Sequence, residues 1–367
     1  MKVLFAIKAL DGISGGAERV LADITSGLSN TQKYHVSILT FDTAGGSTFY
    51  PINKKIERIC LGIGNTKSNS TLWESITRII TMRKIIKQHR PDVVVAFMHS
   101  MFVPLSISLI GTGIPVIGSE HIIPTHYKKR WKEFFLFMLS SYFIKKITVL
   151  SEEIKNTYPS IIQKKMIPIS NPVTFPKRIN LNTTHKKRKT ILNVGRLDPQ
   201  KNQALLIEAF SQLANQYSDW DLKIIGEGLL REQLEAQISN LGLNNRIFLP
   251  GTTSDISAEY VDADIFALPS SYESFGLATA EALAHGLPAV GFANCEGTNK
   301  LIEHTKNGLL VSGNQPYEFT LALEHLMTHK NLREKYGIYA PKSVQKFSIN
   351  SVILEWEKLL TSLNKIS

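Results

Sequence analysis

Two carboxylates eight residues apart frame the segment 270–291, SSYESFGLATAEALAHGLPAVG. Glu273 stands on a loop leaving an apolar run, and Glu281 lies inside a helix-like segment that Gly286 and Pro288 close. Between them, Ser274, Phe275, Gly276 and Leu277 read as a helix start, whose unsatisfied backbone N–H groups suit an anion. Such a pair of acids could hold a phosphate with a sugar on one side and a ribose on the other. The cations this requires are offered by the run GRLDPQKN at 195–202, where Arg196 directly follows a strand end and Lys201 stands at a helix start. Ligands of open α/β sheets bind beyond the carboxyl ends of the strands. An arginine fork and a compact lysine charge suit a diphosphate there. The plainer alternative is two surface cations on a loop.

Other signals are less specific. Gly226-Glu227-Gly228 contains G-x-G without the third glycine or the distant acid of a dinucleotide fingerprint, and a tight turn explains it equally. Gly15 and Gly16, in SGGAER at 14–19, permit close backbone approach to a phosphate or a sugar at a helix N-terminus, or form a flexible turn.

The elements that must position these residues alternate between strand and helix. In the first half, 3–7, 34–41, 56–61, 92–97, 115–119 and 146–150 read as strands, with helices at 17–28, 72–89, 102–109 and 129–142. The run DVVVAF at 92–97 is the pattern of a strand covered on both faces. On the helix at 72–89, Arg78, Arg83, Lys84 and Lys87 occupy positions other than the apolar repeat. Residues 170–190 break the pattern with two prolines and a KKRK run, and read as a linker. The alternation then restarts, with strands at 190–195, 222–226, 247–249, 265–268 and 289–292 and helices at 202–217, 229–241, 275–285 and 315–328. An amphipathic helix at 350–363 ends the chain. This order predicts parallel α/β sheets.

The length of 367 residues favours two domains, each burying its own core. The N-terminus is a poor secretory signal because Lys8 interrupts its apolar run, and no segment approaches the roughly 20 apolar residues of a bilayer span. Cys60 and Cys295 stand alone, which predicts reduced, buried thiols of a cytoplasmic protein rather than a disulfide or metal site. Residues 1–172 hold 22 Lys+Arg and 11 Asp+Glu, a net of +11, whereas 173–367 hold 20 of each. The excess fits an anionic partner of the first half, or simply a basic solvated surface.

Taken together, GGAER at 15–19, GRLDPQKN at 195–202 and ESFGLATAE at 273–281 resemble a retaining glycosyltransferase of family 4, of the bacterial surface-polysaccharide type. The motifs run in the family's order along nearly the whole chain. The resemblance implies a GT-B fold, two Rossmann-like domains whose parallel sheets face across a cleft. It implies an acceptor-binding domain at 1–172, a nucleotide-sugar-binding domain at 173–348 and a helix at 349–367 crossing back to the first. By position, Arg196 and Lys201 would bind the donor diphosphate, and Glu273 the sugar hydroxyls. The Ser274 to Leu277 backbone would hold sugar and phosphate, and Glu281 the ribose. Gly16, beside Gly15, would meet the phosphate, while Gly226 and Pro250, near the end of the 247–249 strand, would lie towards the nucleotide. His121 matches a histidine that faces the reacting sugar in the family, although a structural role serves as well. No metal or other cofactor is expected. The segment Cys295-Glu296-Gly297-Thr298-Asn299 departs from the family's two glycines and proline, which leaves the sugar's identity open.

No acid in these motifs is an evident nucleophile, so same-face attack is the expected route to retention. The stretch 127–137, YKKRWKEFFLF, mixes cations and aromatics as an interfacial membrane helix does, or as a core helix with a solvated basic end. The expected partners are therefore a nucleotide-sugar, by family frequency a UDP-sugar, and a glycan or lipid-diphosphate acceptor at the inner leaflet of the cytoplasmic membrane. A nucleotide-sugar epimerase is the alternative activity. Nucleic acid is not expected, because no basic recognition helix or RNA-binding aromatic motif is present.

Overall fold

The structure, a computed structural model, describes residues 1–64, 66, 71–124, 127, 130–176 and 188–364. Residues 177–187 of the linker and Lys128 and Lys129 of the aromatic–basic stretch lie outside the described residues. The chain forms two compact units, Met1–Pro172 with Ile349–Ser367, and Val173–Ser348. They are called here the N-terminal and C-terminal domains.

The N-terminal domain carries strands β1 (Lys2–Ala6), β2 (His35–Thr40), β3 (Glu57–Cys60), β4 (Val93–Phe97), β5 (Val116–Ser119), β6 (Lys146–Val149) and β7 (Met166–Pro168). All pair in parallel, in the order β3-β2-β1-β4-β5-β6-β7. Its helices are α1 (Gly16–Asn30), α2 (Leu72–His89), α3 (His99–Ser108), α4 (Trp131–Ser140) and the short α5 (Glu152–Asn156) and α6 (Ser160–Gln163). Every residue of β4 is buried, as its unbroken apolar run requires between two helical layers. α2 begins where Thr71 Oγ1 accepts from the Glu74 N–H while the Glu74 carboxylate accepts from the Thr71 N–H, a capping box. It ends at Arg90, in left-handed conformation before Pro91.

The C-terminal domain repeats the plan with β8 (Lys189–Val194), β9 (Trp220–Ile225), β10 (Ile247–Gly251), β11 (Ile265–Leu268), β12 (Ala289–Phe292) and β13 (Gly308–Val311), again all parallel, in the order β10-β9-β8-β11-β12-β13. Its helices are α7 (Gln203–Ala214), α8 (Arg231–Asn240), α9 (Ile256–Asp262), α10 (Leu277–Ala284), α11 (Glu296–Leu301), α12 (Pro316–Thr328) and α13 (Lys330–Val344). Trp220, Phe210, Phe292, Phe319 and Tyr336 anchor one continuous core. The final helix α14 (Ile349–Asn364) belongs to the N-terminal domain: it packs on α1, and Trp356 lies 6.1 Å from the ring of Phe5.

Several expectations need correction. β7, β13, α9 and α13 escape the periodicity: β7 is only three residues long, and Pro341 interrupts the helical pattern of α13. Pro250 lies inside β10 rather than in a loop after it, at a register shift between Phe248 and Gly251. Arg78 is not on a solvent face. It is buried over the ring of Phe41, and its Nε and Nη2 donate to the Ile63 carbonyl. Backbone oxygen and an aromatic face satisfy the guanidinium, so α2 turns this arginine inward.

Candidate active site

In both domains the strand order reverses between two neighbours, β1 and β4 in the first, β8 and β11 in the second. A crevice opens at such a point because successive loops leave on opposite faces of the sheet. The loops after β8 and β11 carry the principal expected residues of the C-terminal domain. They are tied to each other: the Ser271 N–H donates to the Gln200 carbonyl at 2.8 Å, and Gln200 Nε2 donates to the Tyr272 carbonyl at 2.8 Å. Lys201 Nζ and the Glu273 carboxylate meet at 2.5 Å, with both side chains mostly buried. A buried ion pair costs heavily to desolvate, so side chains held this way must be positioned well. Arg196 differs. Its side chain is 69% exposed and reaches Asp198 at 3.0 Å, leaving the guanidinium accessible.

α10 starts at Leu277 after Gly276, which is left-handed at φ 84°. Ser274, Phe275 and Gly276 thus precede the helix, and its first-turn N–H groups face the end carrying Glu273. Glu281 is four residues inside the helix, buried, and accepts from Tyr260 Oη at 3.0 Å. The ring of His285 stands 5.0 Å from Tyr260, and its Nε2 lies 2.8 Å from Ser257 Oγ. Glu281 is therefore fixed from α9, a support that no local pattern announces.

The segment that departs from the family has a positive function in the fold. Gly297 donates its N–H to the Glu273 carbonyl at 3.1 Å, and a Cβ there would stand 2.6 Å from that oxygen. Only a glycine lets α11 approach so closely. Cys295 beside it is buried, its thiol pushed up by burial, and donates to Thr298 Oγ1. Gly297 has no sequence signal short of the tertiary contact.

Gly226 and Gly228 also serve packing. A Cβ on Gly226 would stand 1.9 Å from the Gly195 carbonyl, and one on Gly228 2.3 Å from that of Leu197. The Leu197 N–H donates to Glu227 O at 2.9 Å and the Gly226 N–H to Gly251 O at 2.8 Å. Arg231 completes the clamp through Glu227, Glu235 and the Leu249 carbonyl. The loops following β8, β9 and β10 are thereby held as one rigid rim, with Pro250 exposed on it.

In the N-terminal domain, Gly15 caps α1 and Gly16 opens it. A Cβ on Gly16 would meet nothing within 4 Å, so the fold itself does not demand a glycine there. The loop is held by Tyr50 Oη donating to Ser14 O at 2.9 Å and by the Arg58–Asp11 ion pair at 2.8 Å. His121 follows β5, half-buried, stacked on Phe97 at 4.9 Å, with Nε2 3.0 Å from Ser119 Oγ. Thr148 donates to the same Ser119 oxygen. Burial pushes His121 down to about 4, so the imidazole is neutral near pH 7.

Its neighbour Glu120 is buried, accepting from Tyr127 Oη at 2.9 Å and the Ile122 N–H at 2.9 Å. Burial outweighs these bonds and pushes its carboxyl up to about 7. The native state therefore keeps a proton that an unfolded glutamate loses near 4.5. This contribution is full below about pH 4.5 and is lost as pH rises through about 7, a fall of about 3 kcal/mol. Glu120→Gln is expected to flatten that part of the pH–stability curve in urea melts between pH 5 and 8. An unchanged slope would show that Glu120 ionises normally.

Among the described residues no group of three or more His, Cys, Asp or Glu side chains is arranged to hold a metal ion. Lys201 and Arg196 bring positive charge to the loop after β8, where Lys201 is paired with Glu273 and Arg196 with Asp198.

Two doubly wound parallel-sheet domains, each with one strand-order reversal, make the GT-B fold. Residues 176–343 match the family model of glycosyl transferases group 1, and residues 14–174 that of Glycosyltransferase Family 4. The chain belongs to glycosyltransferase family 4. It is 27% identical over 99% of both chains to the Campylobacter jejuni GalNAc-alpha-(1->4)-GalNAc-alpha-(1->3)-diNAcBac-PP-undecaprenol alpha-1,4-N-acetyl-D-galactosaminyltransferase. It is 25% identical to the Erwinia amylovora amylovoran biosynthesis glycosyltransferase AmsD, covering 96% of this chain and 98% of that one. The fold matches a TarM mutant of S. aureus, solved with Fondaparinux, alpha-GlcNAc-glycerol and UDP, at a TM-score of 0.80 with 15% identity, covering 98% of this chain and 99% of that chain. The protein is thus a glycosyltransferase, which displaces the epimerase alternative.

Proposed function

We propose that this enzyme moves a hexose or N-acetylhexosamine from a UDP-sugar to a lipid-linked or polysaccharide acceptor of the bacterial envelope, retaining the anomeric configuration. The observation that carries this reading is the Lys201–Glu273 pair at the β8/β11 reversal, beside an accessible Arg196 and the start of α10. Lys201 and Arg196 bind the diphosphate and stabilise the charge that grows on it as the glycosidic bond breaks. Glu273 holds the sugar hydroxyls and Glu281 the ribose, while Gly16 lets backbone meet phosphate. His121, neutral and anchored, faces the reacting sugar. The name of the Campylobacter relative specifies a glycan on undecaprenol diphosphate, and the TarM structure holds UDP. Both support the corresponding choices here.

The acceptor hydroxyl attacks the anomeric carbon from the face the leaving group departs. Its oxygen forms the new glycosidic bond, and its proton passes to the departing phosphate oxygen. With the charge supplied by side chains, no metal is needed. Among the described residues no helix is long and apolar enough to cross a membrane, and we place the enzyme peripherally at the inner face of the cytoplasmic membrane. NMR of the product formed in excess EDTA tests both points. An α-linked donor is expected to give an α-linked product at undiminished rate; an inverted anomer would sink the retaining mechanism, and loss of turnover in EDTA the metal-free one.

A further inference from the structure

Helix α3 packs between α2 and α4 on one face of the N-terminal sheet. The inward sides of this layer are buried through Met82 and Ile86 of α2, Phe102 and Leu105 of α3 and Phe137 of α4. The outward sides are not the polar surface that a helix of a soluble domain turns to water. On α2, Trp73 is 79% and Ile80 62% exposed; on α4, Trp131 is 68% and Phe135 61% exposed. The spacing makes stripes of them. Trp73, Ile76 and Ile80 follow one another at three and four residues, and the same line continues through exposed Lys84 and Lys87. Trp131, Phe135 and Leu139 recur every fourth residue, with exposed Arg130 and Lys132 at the start; Lys132 Nζ lies 5.7 Å from the Trp131 ring.

The geometry points to α2 and α4 as the two rails of a docking face for an anionic lipid bilayer. Their indoles and aliphatic side chains enter the interfacial layer, and Lys84, Lys87, Arg130 and Lys132 meet the headgroups. Charge selects lipid over a protein partner: the positive excess of +11 falls wholly within residues 1–172, the part that carries these stripes. This rests on the reading above of a membrane-presented acceptor, and adds α2, whose apolar repeat reads in sequence as a core-facing one. An acceptor anchored in that bilayer would then be offered to the domain from the α2–α4 side.

The protein carries its own probe. Of its four tryptophans, Trp220 and Trp356 are buried, so a change of emission on adding vesicles reports Trp73 and Trp131. Full-length protein is mixed with vesicles of phosphatidylcholine alone or with phosphatidylglycerol, and both emission and co-sedimentation are read. Binding with a blue shift is expected only for the anionic vesicles, weakening as salt rises. The pair Ile76→Asn with Ile80→Asn on α2, and the pair Phe135→Ser with Leu139→Asn on α4, are each expected to weaken partitioning by about tenfold or more. All four positions are partly or largely exposed, so the thermal melt is expected to shift by only a few degrees. Wild-type binding that survives the α2 pair undiminished would overturn the two-rail face while leaving the membrane reading intact. No binding by the wild type would remove both. Dissociation of a protein dimer by the same substitutions would assign the face to a second copy and overturn the lipid proposal.

Discussion

Lys201→Ala is expected to lower turnover of the nucleotide-sugar by roughly 10²–10³-fold, the usual cost of removing one group that stabilises charge in a transition state. The same change strands Glu273, whose mostly buried carboxylate loses the cation 2.5 Å away. Breaking one side of a buried pair costs about 3 kcal/mol or more, whereas replacing both partners with neutral groups can be close to neutral. The two effects therefore separate. Lys201→Met combined with Glu273→Gln is expected to regain most of the stability lost by Lys201→Met alone and none of the turnover. Restored turnover in the double variant, or unchanged turnover in Lys201→Ala, would take Lys201 out of the reaction and leave it a structural cation. Arg196→Ala is expected to act on turnover alone, since its exposed guanidinium supports nothing but Asp198 among the contacts described.

The largest expected effect on stability falls at Gly226. At φ 148° its backbone is in a region open essentially to glycine, and a Cβ would stand 1.9 Å from the Gly195 carbonyl, a backbone atom that cannot swing aside. Gly226→Ala is expected to cost about 3 kcal/mol or more, adding conformational strain to overpacking. For a domain of this size that is a fall of roughly 6–12 °C in melting temperature. The displaced loop also carries Arg196, so turnover falls with it. Gly16→Ala is the informative contrast. An added methyl there meets open space and gains helix propensity, so the melt is expected to hold or rise slightly while turnover drops. Equal stability losses at both glycines would mean that Gly16 is also a packing residue. Unchanged turnover in Gly16→Ala would remove it from the donor site.

The alternation of elements was legible because each reports its own burial locally. A run such as Val93–Phe97 has no polar residue because both its faces are covered, and the large apolar side chains that α1 buries, Val20, Leu21, Ile24 and Leu28, fall on one helical face. The motifs around Arg196, Lys201, Glu273 and Glu281 were legible for a related reason: each is a strand end followed by a helix start, with a charge at the junction. Where periodicity failed, the element was too short to show it, as in β7, or was interrupted, as in α13. Arg78 and α2 show a different limit. Residue type says that a guanidinium needs partners and that Trp73 prefers burial, but not that Phe41 and Ile63 wait inside while the indole stays 79% exposed among the described residues.

The sequence by itself determined the two parallel α/β halves, the family and the residue types that can hold a charged donor, since these depend on local pattern and on motifs contiguous in the chain. The tertiary structure alone decided that Lys201 and Glu273 form one pair, that Tyr260 fixes Glu281, that Gly297 admits α11 against Glu273, and that Gly226 is required by a neighbouring carbonyl. Each of these joins residues from different loops or helices, 21 to 72 positions apart where a hydrogen bond links their side chains. Contact energies depend on distance in space, and a chain folded about two sheets sets that distance through strand order rather than through spacing along the sequence.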